Sequence, residues 1–298
     1  MMKPEVTVMS LYGVVDIGSN TVVLLVYGMN SGKPEIIRYE SEPVHLVSYI
    51  KDGHMQAAGI EKTAAVVKRY QDILNEYDVT ARGGFVTEPW RGIDNSQEML
   101  DSFRVDGLEI VPLTGRQEAE YDFFGSRLDC SDILTGNAFD IGGGSTELIA
   151  FRDGKILEAV SIPVGCVRLS VLSVDNEIPD RHMQDAFARW PGLLTCPSDL
   201  LVGIGGTCQA AGKLCAALYG TDHTVTVEQL TAVCEGLKAR DYDMTAAMHR
   251  NVSQGRWSVF LPGVNMLLGI CRAYGADKVR ISKGCVREGF LLNHLVRE

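Results

Sequence analysis

The sequence predicts an α/β protein made of two duplicated domains, and three observations support this fold class. The chain has 298 residues, which suits two domains at about 150 residues each. Residues 13–26, GVVDIGSNTVVLLV, and residues 138–149, AFDIGGGSTELI, share Asp-Ile-Gly, a small polar turn, Thr and flanking apolar residues. Segments typical of strands and helices follow both copies in a similar order. The repeated aspartates, Asp16 and Asp140, lie 124 residues apart, about one domain length.

In the first half, β-branched and aliphatic runs bounded by turn residues predict strands, and apolar residues at helical spacing predict helices. The helix prediction is based on residues 60–74, where Lys and Arg alternate with the apolar positions. The predicted strands are residues 14–16, 22–27, 35–39, 44–49, 82–86 and 108–112. The predicted helices are residues 60–74 and 116–128.

The second half repeats this order. Residues 139–151 and 156–162 are predicted to pair as strands across the Asp153-Gly154 turn, because this dipeptide is typical of tight hairpins. A short strand at residues 200–203 leads into a predicted helix at residues 207–218. Further helices are predicted at residues 227–239, 264–274 and 286–296.

No low-complexity linker separates the two copies, so the repeat alone places a domain boundary near residues 125–137. The predicted domains are residues 1–130 and residues 131–285, with an active site in the cleft between them. A C-terminal helix at about residues 286–298 is expected to pack back on the first domain.

Charge and composition exclude some classes of protein. Lys and Arg total 28 and Asp and Glu total 38, which gives a formal net charge of −10. With 46% hydrophobic and 22% charged residues, the chain is not expected to be disordered as a whole. The acidic balance argues against DNA or general nucleic-acid binding, which usually needs a basic surface. It does not exclude a local site for anions.

The first residues, MMKPEVTVMS, lack the long apolar core of a signal peptide, and the strongest early apolar run, residues 22–27, is far shorter than a membrane span. The expected location is therefore the cytoplasm, with no membrane partner. The eight cysteines contain no CxxC pair, and the spacing of Cys208 and Cys215 fits no common zinc site. Reduced and mostly buried thiols are the favoured interpretation over disulfides or a metal role.

Glycine-rich turns after the repeated strands indicate phosphate binding, because glycine lets backbone N–H groups approach an anion closely. The candidate phosphate-binding residues are Gly18, Ser19, Asn20 and Thr21 in the first loop and Gly142, Gly143, Gly144 and Ser145 in the second. An aspartate beside a phosphate is favourable only if a cation lies between them, and Mg²⁺ is the usual choice. The alternative is a hairpin turn that merely requires glycine. A third loop with Gly205 and Gly206 opens a predicted helix, whose N-terminus is another candidate anion site.

Several segments together resemble the exopolyphosphatase/guanosine pentaphosphate phosphatase family, a branch of the actin-like (ribonuclease H-like) ATPase superfamily. The resemblance covers about residues 14–292. It is carried by DIGSNT at 16–21, VTEPWRGIDN at 86–95, TGRQEAEYDFFG at 114–125 and DIGGGSTEL at 140–148, with later blocks PVGCVRLS, IGGT and KGCVREGFL. It implies two duplicated actin-like domains with mixed sheets flanked by helices.

The resemblance also implies roles for individual residues. Glu118 aligns with the family's catalytic glutamate, a general base for the attacking water, and Arg91 would neutralise phosphoryl charge. Asp16 and Asp140 are the implied Mg²⁺ partners, and Glu147 assists metal or water. Without the resemblance, Glu118 and Arg91 are ordinary surface residues and Glu147 a strand-end carboxylate. Further candidate basic residues of a substrate channel are Arg168, Lys213, Arg256, Lys283 and Arg287.

The sequence departs from the family pattern in three places, which leaves substrate preference and catalytic speed open. Val44-His45-Leu46-Val47 stands where many relatives have Arg-Leu-Gly. Pro89 and Ile93 replace alanines around Arg91, and Arg256-Trp257-Ser258 replaces Arg-Ala-Asp. The C-terminal helical domains of longer relatives are absent, which implies the two-domain form.

The expected activity is that of a Mg²⁺-dependent phosphohydrolase. It would release terminal orthophosphate from inorganic polyphosphate, or the γ-phosphate of guanosine pentaphosphate (pppGpp), by in-line attack of water. Two alternatives stay open: an actin-like kinase that transfers phosphate from ATP, and a sensor that binds polyphosphate or a guanosine alarmone without turnover. A homodimer is expected because relatives are often dimers.

Overall fold

A computed structural model of the chain describes residues 9–172 and 177–296. The chain forms two compact units, one from the described part of Met1–Leu113 with Leu291–Glu298, the other from Thr114–Phe290. The boundary predicted from the repeat lies later, after residue 130. A compact unit is a set of residues that contact one another more than they contact the rest of the chain, and it need not equal a domain. The assignment of domains to residues 1–130 and 131–285 therefore stays a prediction.

The first unit is a five-stranded sheet with helices packed against one face. Its strand order is β3-β2-β1-β6-β7, in which β1–β3 are antiparallel neighbours and β1, β6 and β7 run parallel. A small hairpin, β4 and β5, stands apart from this sheet. The elements are β1 (Leu11–Ile17), β2 (Thr21–Asn30), β3 (Lys33–Pro43), β4 (Ile50–Lys51), β5 (His54–Met55), α1 (Ala57–Leu74), β6 (Val79–Val86), α2 (Ser96–Ser102) and β7 (Ile110–Pro112).

The core of the first unit follows from the sequence periodicity. Alternate residues of β2, Val22, Leu24 and Val26, face the apolar stripe of α1, which includes Val67 and Tyr70. These side chains are almost fully buried. A one-residue change of register would turn them away from the helix, so this packing fixes how β2 pairs with β1. The C-terminal turn Leu291–Leu295 contacts β1 and β6 of the same unit.

The second unit is a six-stranded sheet of order β10-β9-β8-β11-β13-β12. Its core contains the buried helix α9, which ends at Gly275 in the left-handed conformation, with φ of 68°. The elements are α3 (Gly115–Ser126), β8 (Gly136–Ile141), β9 (Thr146–Arg152), β10 (Lys155–Ile162), α4 (Cys166–Leu172), α5 (Glu177–Arg189), β11 (Leu200–Ile204), α6 (Gly205–Tyr219), β12 (Thr224–Thr226), α7 (Val227–Lys238), α8 (Tyr242–Asn251), α9 (Trp257–Tyr274), β13 (Lys278–Ile281) and α10 (Val286–Phe290).

The two sheets share one topology. In each, three antiparallel strands are followed by parallel ones: β3-β2-β1 then β6 and β7, and β10-β9-β8 then β11 and β13. Asp16 pairs with Val23 across β1 and β2, and Asp140 pairs with Glu147 across β8 and β9. The predicted fold class, duplicated α/β units with mixed sheets flanked by helices, is confirmed.

Two predicted strands differ from the structure. Residues 44–49 were expected to form a strand, but Leu46–Tyr49 form a 3₁₀ helix. The backbone N–H groups of Val44 and His45 both donate to the carbonyl of Asn20, at 2.9 Å, so this segment turns onto the first loop instead of joining the sheet. The helices α2, α4, α5 and α8 carry weak or interrupted patterns and were not predicted. The strand predicted over residues 139–151 is instead two antiparallel strands, β8 and β9, separated by the second glycine loop. The other predicted strands and helices are present with shifted ends.

All eight cysteines are free and buried, and all lie in the second unit. Burial raises the pKa of Cys215 to about 11. Burial is also the main reason that the pKa values of Cys130 and Cys271 rise to about 12. The prediction that the thiols are buried is confirmed. Within the described residues, no helix has both the length and the apolar character needed to cross a membrane.

We expect the native protein to be unreactive toward Ellman's reagent. All eight thiols are buried, and a raised pKa keeps Cys130, Cys215 and Cys271 in the poorly nucleophilic thiol form at pH 8. On average, less than about one thiol per molecule should react within minutes, and all eight should react after addition of guanidinium chloride. A denatured count of six would show a disulfide that the structure does not contain.

Candidate active site

The two glycine loops have the same turn geometry. The N–H of Gly18 donates to the carbonyl of Thr21 at 3.0 Å, and the N–H of Gly142 donates to the carbonyl of Ser145 at 3.0 Å. A Cβ at either glycine would lie 3.2 Å from the accepting oxygen. The sequence repeat therefore corresponds to a repeated backbone structure, with Asp16 and Asp140 in the same place before each turn.

The carbonyl groups of both loops are held by the segment that follows the third strand of each unit. In the first unit this segment is Val44–His45, which bonds Asn20. In the second unit the N–H of Cys166 donates to the carbonyl of Gly142, and that of Val167 to the carbonyl of Gly143, both at 2.9 Å. These hydrogen bonds occupy carbonyl oxygens that would otherwise repel a phosphate.

Two side chains of the first loop are held from outside it. Ser19 Oγ donates to Glu88 Oε2 at 3.2 Å, and both residues are buried. His45 Nδ1 lies 2.6 Å from Asn20 Oδ1. Glu88 was not among the sequence candidates. Its position next to Thr87, within the segment that resembles the family, was the available signal.

Arg91 is held at the end of β7. Its Nη1 donates to the carbonyl of Leu113 at 3.2 Å, and the indole N–H of Trp90 donates to the same carbonyl at 3.1 Å. Leu113 in turn donates to the carbonyl of Val86 at 3.0 Å. The guanidinium is only partly exposed, so these contacts fix its place in the first unit.

The carboxylates of the second unit lie on adjacent elements. Asp140 and Glu147 are directly paired on β8 and β9, so their side chains share one face of the sheet. Glu147 is 1% exposed and accepts a hydrogen bond of 2.7 Å from Ser161 Oγ on β10. The second loop thus carries two acidic side chains, whereas the first has Asp16 opposite the apolar Val23.

Helix α3 adds two more carboxyl groups. It begins with a capping box, in which Thr114 Oγ1 accepts from the N–H of Gln117 and the Gln117 side chain accepts from the N–H of Thr114. Glu118 and Asp122 are four residues apart, hence on one face, and both are buried. Asp122 Oδ1 accepts from the N–H of Val286 at 2.8 Å.

The second unit therefore has a group of mutually repelling acids. Burial, and then repulsion from Asp140, Glu147 and Glu118, holds the pKa of Asp122 well above its usual range. Burial raises the pKa of Asp140 to about 6, against the effects of Arg256, the Asp122 carboxyl and Arg287. Sequence reasoning did not select Asp122, although its spacing from Glu118 was visible.

The third glycine loop approaches the same acids. Gly205 has φ of 74°, and a Cβ there would overlap the carboxylate of Asp140. A Cβ at Gly206 would overlap the Arg256 guanidinium. The N-terminus of α6, predicted as an anion site, thus faces a carboxylate of the protein itself. Phosphate binding by Gly205 and Gly206 stays a prediction.

Close backbone contacts hold α3 against the chain segment at residues 284–290. A Cβ at Gly125 would overlap the carbonyl of Cys285, one at Gly284 the carbonyl of Gly125, and one at Gly289 the carbonyl of Tyr121. The resembling block KGCVREGFL is therefore the surface on which the helix of Glu118 rests.

The candidate basic residues differ in their placement. Arg256 and Arg287 act on the pKa of Asp140, and the N–H of Arg168 donates to the carbonyl of Gly143 at 3.3 Å. These three lie near the second loop. Lys213 is exposed on α6, and the backbone of Lys283 is bound by Asp129 Oδ2 at 2.7 Å.

Comparison with known proteins supports the resemblance. The family described as the Ppx/GppA phosphatase family matches residues 25–298. Exopolyphosphatase 1 of Mycobacterium tuberculosis is 26% identical over 311 residues, covering 96% of this chain and 88% of that protein. A solved structure of the Aquifex aeolicus PPX-GPPA enzyme has a TM-score of 0.76 and 26% identity, covering 96% of this chain and 100% of that one. An exopolyphosphatase structure from Cytophaga hutchinsonii has a TM-score of 0.81 at 20% identity, over 96% and 98% of the two chains.

The family match begins after the first loop and includes the second loop and helix α3 with Glu118. The matches to the two proteins of 26% identity cover 96% of the chain. The fold is that of these solved relatives. From its sequence and its structure, the chain belongs to the Ppx/GppA phosphatase family.

Proposed function

We propose that this protein is an exopolyphosphatase that releases orthophosphate from the end of inorganic polyphosphate. The proposal rests on its membership of a phosphatase family and on relatives named exopolyphosphatases. The observation that carries it is the group of acids formed by buried Glu118, Asp122 and Glu147 with the partly exposed Asp140. This group lies beside the glycine-rich turn in which Gly142 donates to Ser145. A structural hairpin has no need of buried, mutually repelling carboxyl groups, which are costly to maintain.

The acids of the second unit fit Mg²⁺ as the cofactor. Asp122 Oδ2 is buried without a hydrogen-bond partner among the described residues, and burial raises the pKa of the neighbouring Asp140. Within the described chain, no three His, Cys, Asp or Glu side chains converge enough to hold an ion alone. Mg²⁺ needs only one or two carboxylates, because water and substrate phosphates complete its shell. In the proposed site Asp140 and Glu147 hold it, and a Mg²⁺ role for Asp16 stays a prediction. When bound, the ion neutralises charge on the phosphate oxygens.

The proposed reaction is in-line hydrolysis of the terminal phosphoanhydride. Glu118 orients a water molecule and accepts its proton while the water oxygen bonds to the terminal phosphorus. The bond from that phosphorus to the bridging oxygen breaks, and the shortened polyphosphate leaves with this oxygen. The loop amides and Arg91 hold the phosphoryl oxygens and stabilise their charge.

The γ-phosphate of pppGpp is the second substrate we propose, because the same bond type breaks and the family includes phosphatases of this nucleotide. The reaction needs no residue beyond those already named. Preference between the two substrates is therefore a matter of affinity outside the reacting phosphates.

The test is orthophosphate release from long-chain polyphosphate and from pppGpp, each with Mg²⁺ and with EDTA. We expect Mg²⁺-dependent release from polyphosphate. Tight polyphosphate binding without release would favour the sensor alternative, and transfer of phosphate from ATP to an acceptor would favour the kinase. No binding and no release with either substrate would contradict the proposal.

A further inference from the structure

The first phosphate loop contains a hydroxyl whose orientation is set by the protein. Ser19 and Glu88 are 8% and 6% exposed, so water competes little for their hydrogen bond. A serine hydroxyl has one hydrogen to donate, and here it points to Glu88 Oε2 at 3.2 Å. Toward a ligand, the Ser19 oxygen can therefore act only as a hydrogen-bond acceptor. The residue looks in sequence like a phosphate donor but has acceptor character in the structure.

Asn20, in contrast, is oriented as a hydrogen-bond donor toward a ligand. Its Oδ1 lies 2.6 Å from His45 Nδ1, and its Nδ2 lies 3.3 Å from Thr21 Oγ1. Both contacts are satisfied when the imidazole donates to Oδ1, which leaves the amide N–H groups of Asn20 as donors. Neighbouring side chains of one loop therefore present an acceptor and a donor. The backbone N–H groups add further donors.

Glu88 holds this position through the turn that contains it. The turn Glu88–Trp90 starts after Thr87, whose N–H donates to the carbonyl of Ile17 at 3.2 Å. The carbonyl of Glu88 accepts from the N–H of Arg91 at 2.9 Å. The residue before Glu88 is thus hydrogen-bonded to the end of β1, and the carbonyl of Glu88 itself is hydrogen-bonded to Arg91.

We infer that Glu88 is a positioning residue that makes Ser19 an acceptor, so that the first loop prefers a phosphate accompanied by a cation over a bare phosphate. A bare phosphate offers only oxygens and has no partner for an oxygen lone pair. A phosphate with bound Mg²⁺ offers a cation or its water. This inference rests on the proposed function, because it assigns the form of the polyphosphate that the loop accepts.

The inference predicts coupling between Glu88 and Ser19. In Glu88→Gln the side-chain amide can donate to Ser19 Oγ, so the hydroxyl hydrogen becomes available to a phosphate oxygen. Binding of tripolyphosphate without Mg²⁺ should then tighten about three- to tenfold, the range for one typical hydrogen bond. Binding with Mg²⁺ should change less, so the Mg²⁺ preference should fall. In a Ser19→Ala background the same substitution has no hydroxyl to release and should give no gain.

The experiment is a double-mutant cycle by isothermal titration calorimetry with tripolyphosphate, in Mg²⁺ and in EDTA. The four proteins are wild type, Glu88→Gln, Ser19→Ala and the double variant. Glu109→Gln is the matched control, since it removes an exposed carboxylate from the same unit. Calorimetry reads binding without turnover, so it does not depend on catalysis.

An equal gain in both Ser19 backgrounds would overturn the inference, because the effect would then be charge alone. Absence of any gain would overturn it as well. If Glu88→Gln does not fold, Ser19→Ala decides: the inference requires Mg²⁺-free binding within about twofold of wild type, and a loss above about fivefold would show that Ser19 donates to phosphate. If wild type binds tripolyphosphate but Glu88→Gln has the same effect with and without Ser19, only the inference is refuted. If wild type does not bind tripolyphosphate, the proposed function is refuted too.

Discussion

Glu118→Gln is expected to lower kcat for orthophosphate release from polyphosphate by about 10²–10⁴. The amide keeps the size of the carboxylate but cannot accept a proton from the attacking water. Glu118 lies in the first turn of α3, where its backbone N–H donates to the carbonyl of Thr114 at 2.9 Å. The substitution leaves this cap intact, so the helix should form as before. KM should change little because the loops still bind the phosphates.

Glu120→Gln is the matched control on the same helix. Glu120 is partly exposed and pairs with Arg116 at 2.8 Å, on a different face from Glu118 and Asp122. A surface pair of this kind contributes at most about 1 kcal/mol, so kcat should stay within about twofold. Steady-state assays of all three proteins in one preparation give the comparison. Equal rates for Glu118→Gln and wild type would show that another group activates the water.

The repeat explains why the geometry of the two loops was predictable. Asp-Ile-Gly with a following Thr or Ser-Thr is a local pattern, and local patterns determine turn geometry: Gly18 and Gly142 form the same hydrogen bond in the two loops. The fold class followed from finding that pattern twice. The sequence distance between Asp16 and Asp140 then gave the size of the repeated unit.

The rest depends on contacts between segments far apart in the chain. Asp122 becomes an unusual acid only because β8 and β9 place Asp140 and Glu147 beside α3. Glu88 is notable only because Ser19, 69 residues earlier, is its hydrogen-bond partner. In the same way, residues 44–49 have the composition of a strand but bend toward the carbonyl of Asn20. Tertiary hydrogen bonds decide such positions, and composition does not report them.

Gly125→Ala is expected to destabilise the second unit by about 3 kcal/mol, near the upper end for overpacking, because the new methyl meets backbone and not a movable side chain. The Cβ would overlap the carbonyl of Cys285, in the segment against which α3 is packed. At roughly 2–4 °C per kcal/mol, the melting temperature should fall by about 6–12 °C. Differential scanning calorimetry measures this shift.

The control for Gly125→Ala is Gly255→Ala, because Gly255 is exposed and a Cβ there meets nothing within 4 Å. Its melting temperature should change by no more than about 2 °C. Gly289→Ala should behave like Gly125→Ala, since its Cβ would overlap the carbonyl of Tyr121 on α3. Because α3 carries both Glu118 and Asp122, the two destabilised variants should also lose kcat at temperatures where they remain folded. Unchanged melting temperatures in both would mean that α3 does not pack against residues 284–290 as closely as the structure shows, and the position of the proposed base would have to be reconsidered.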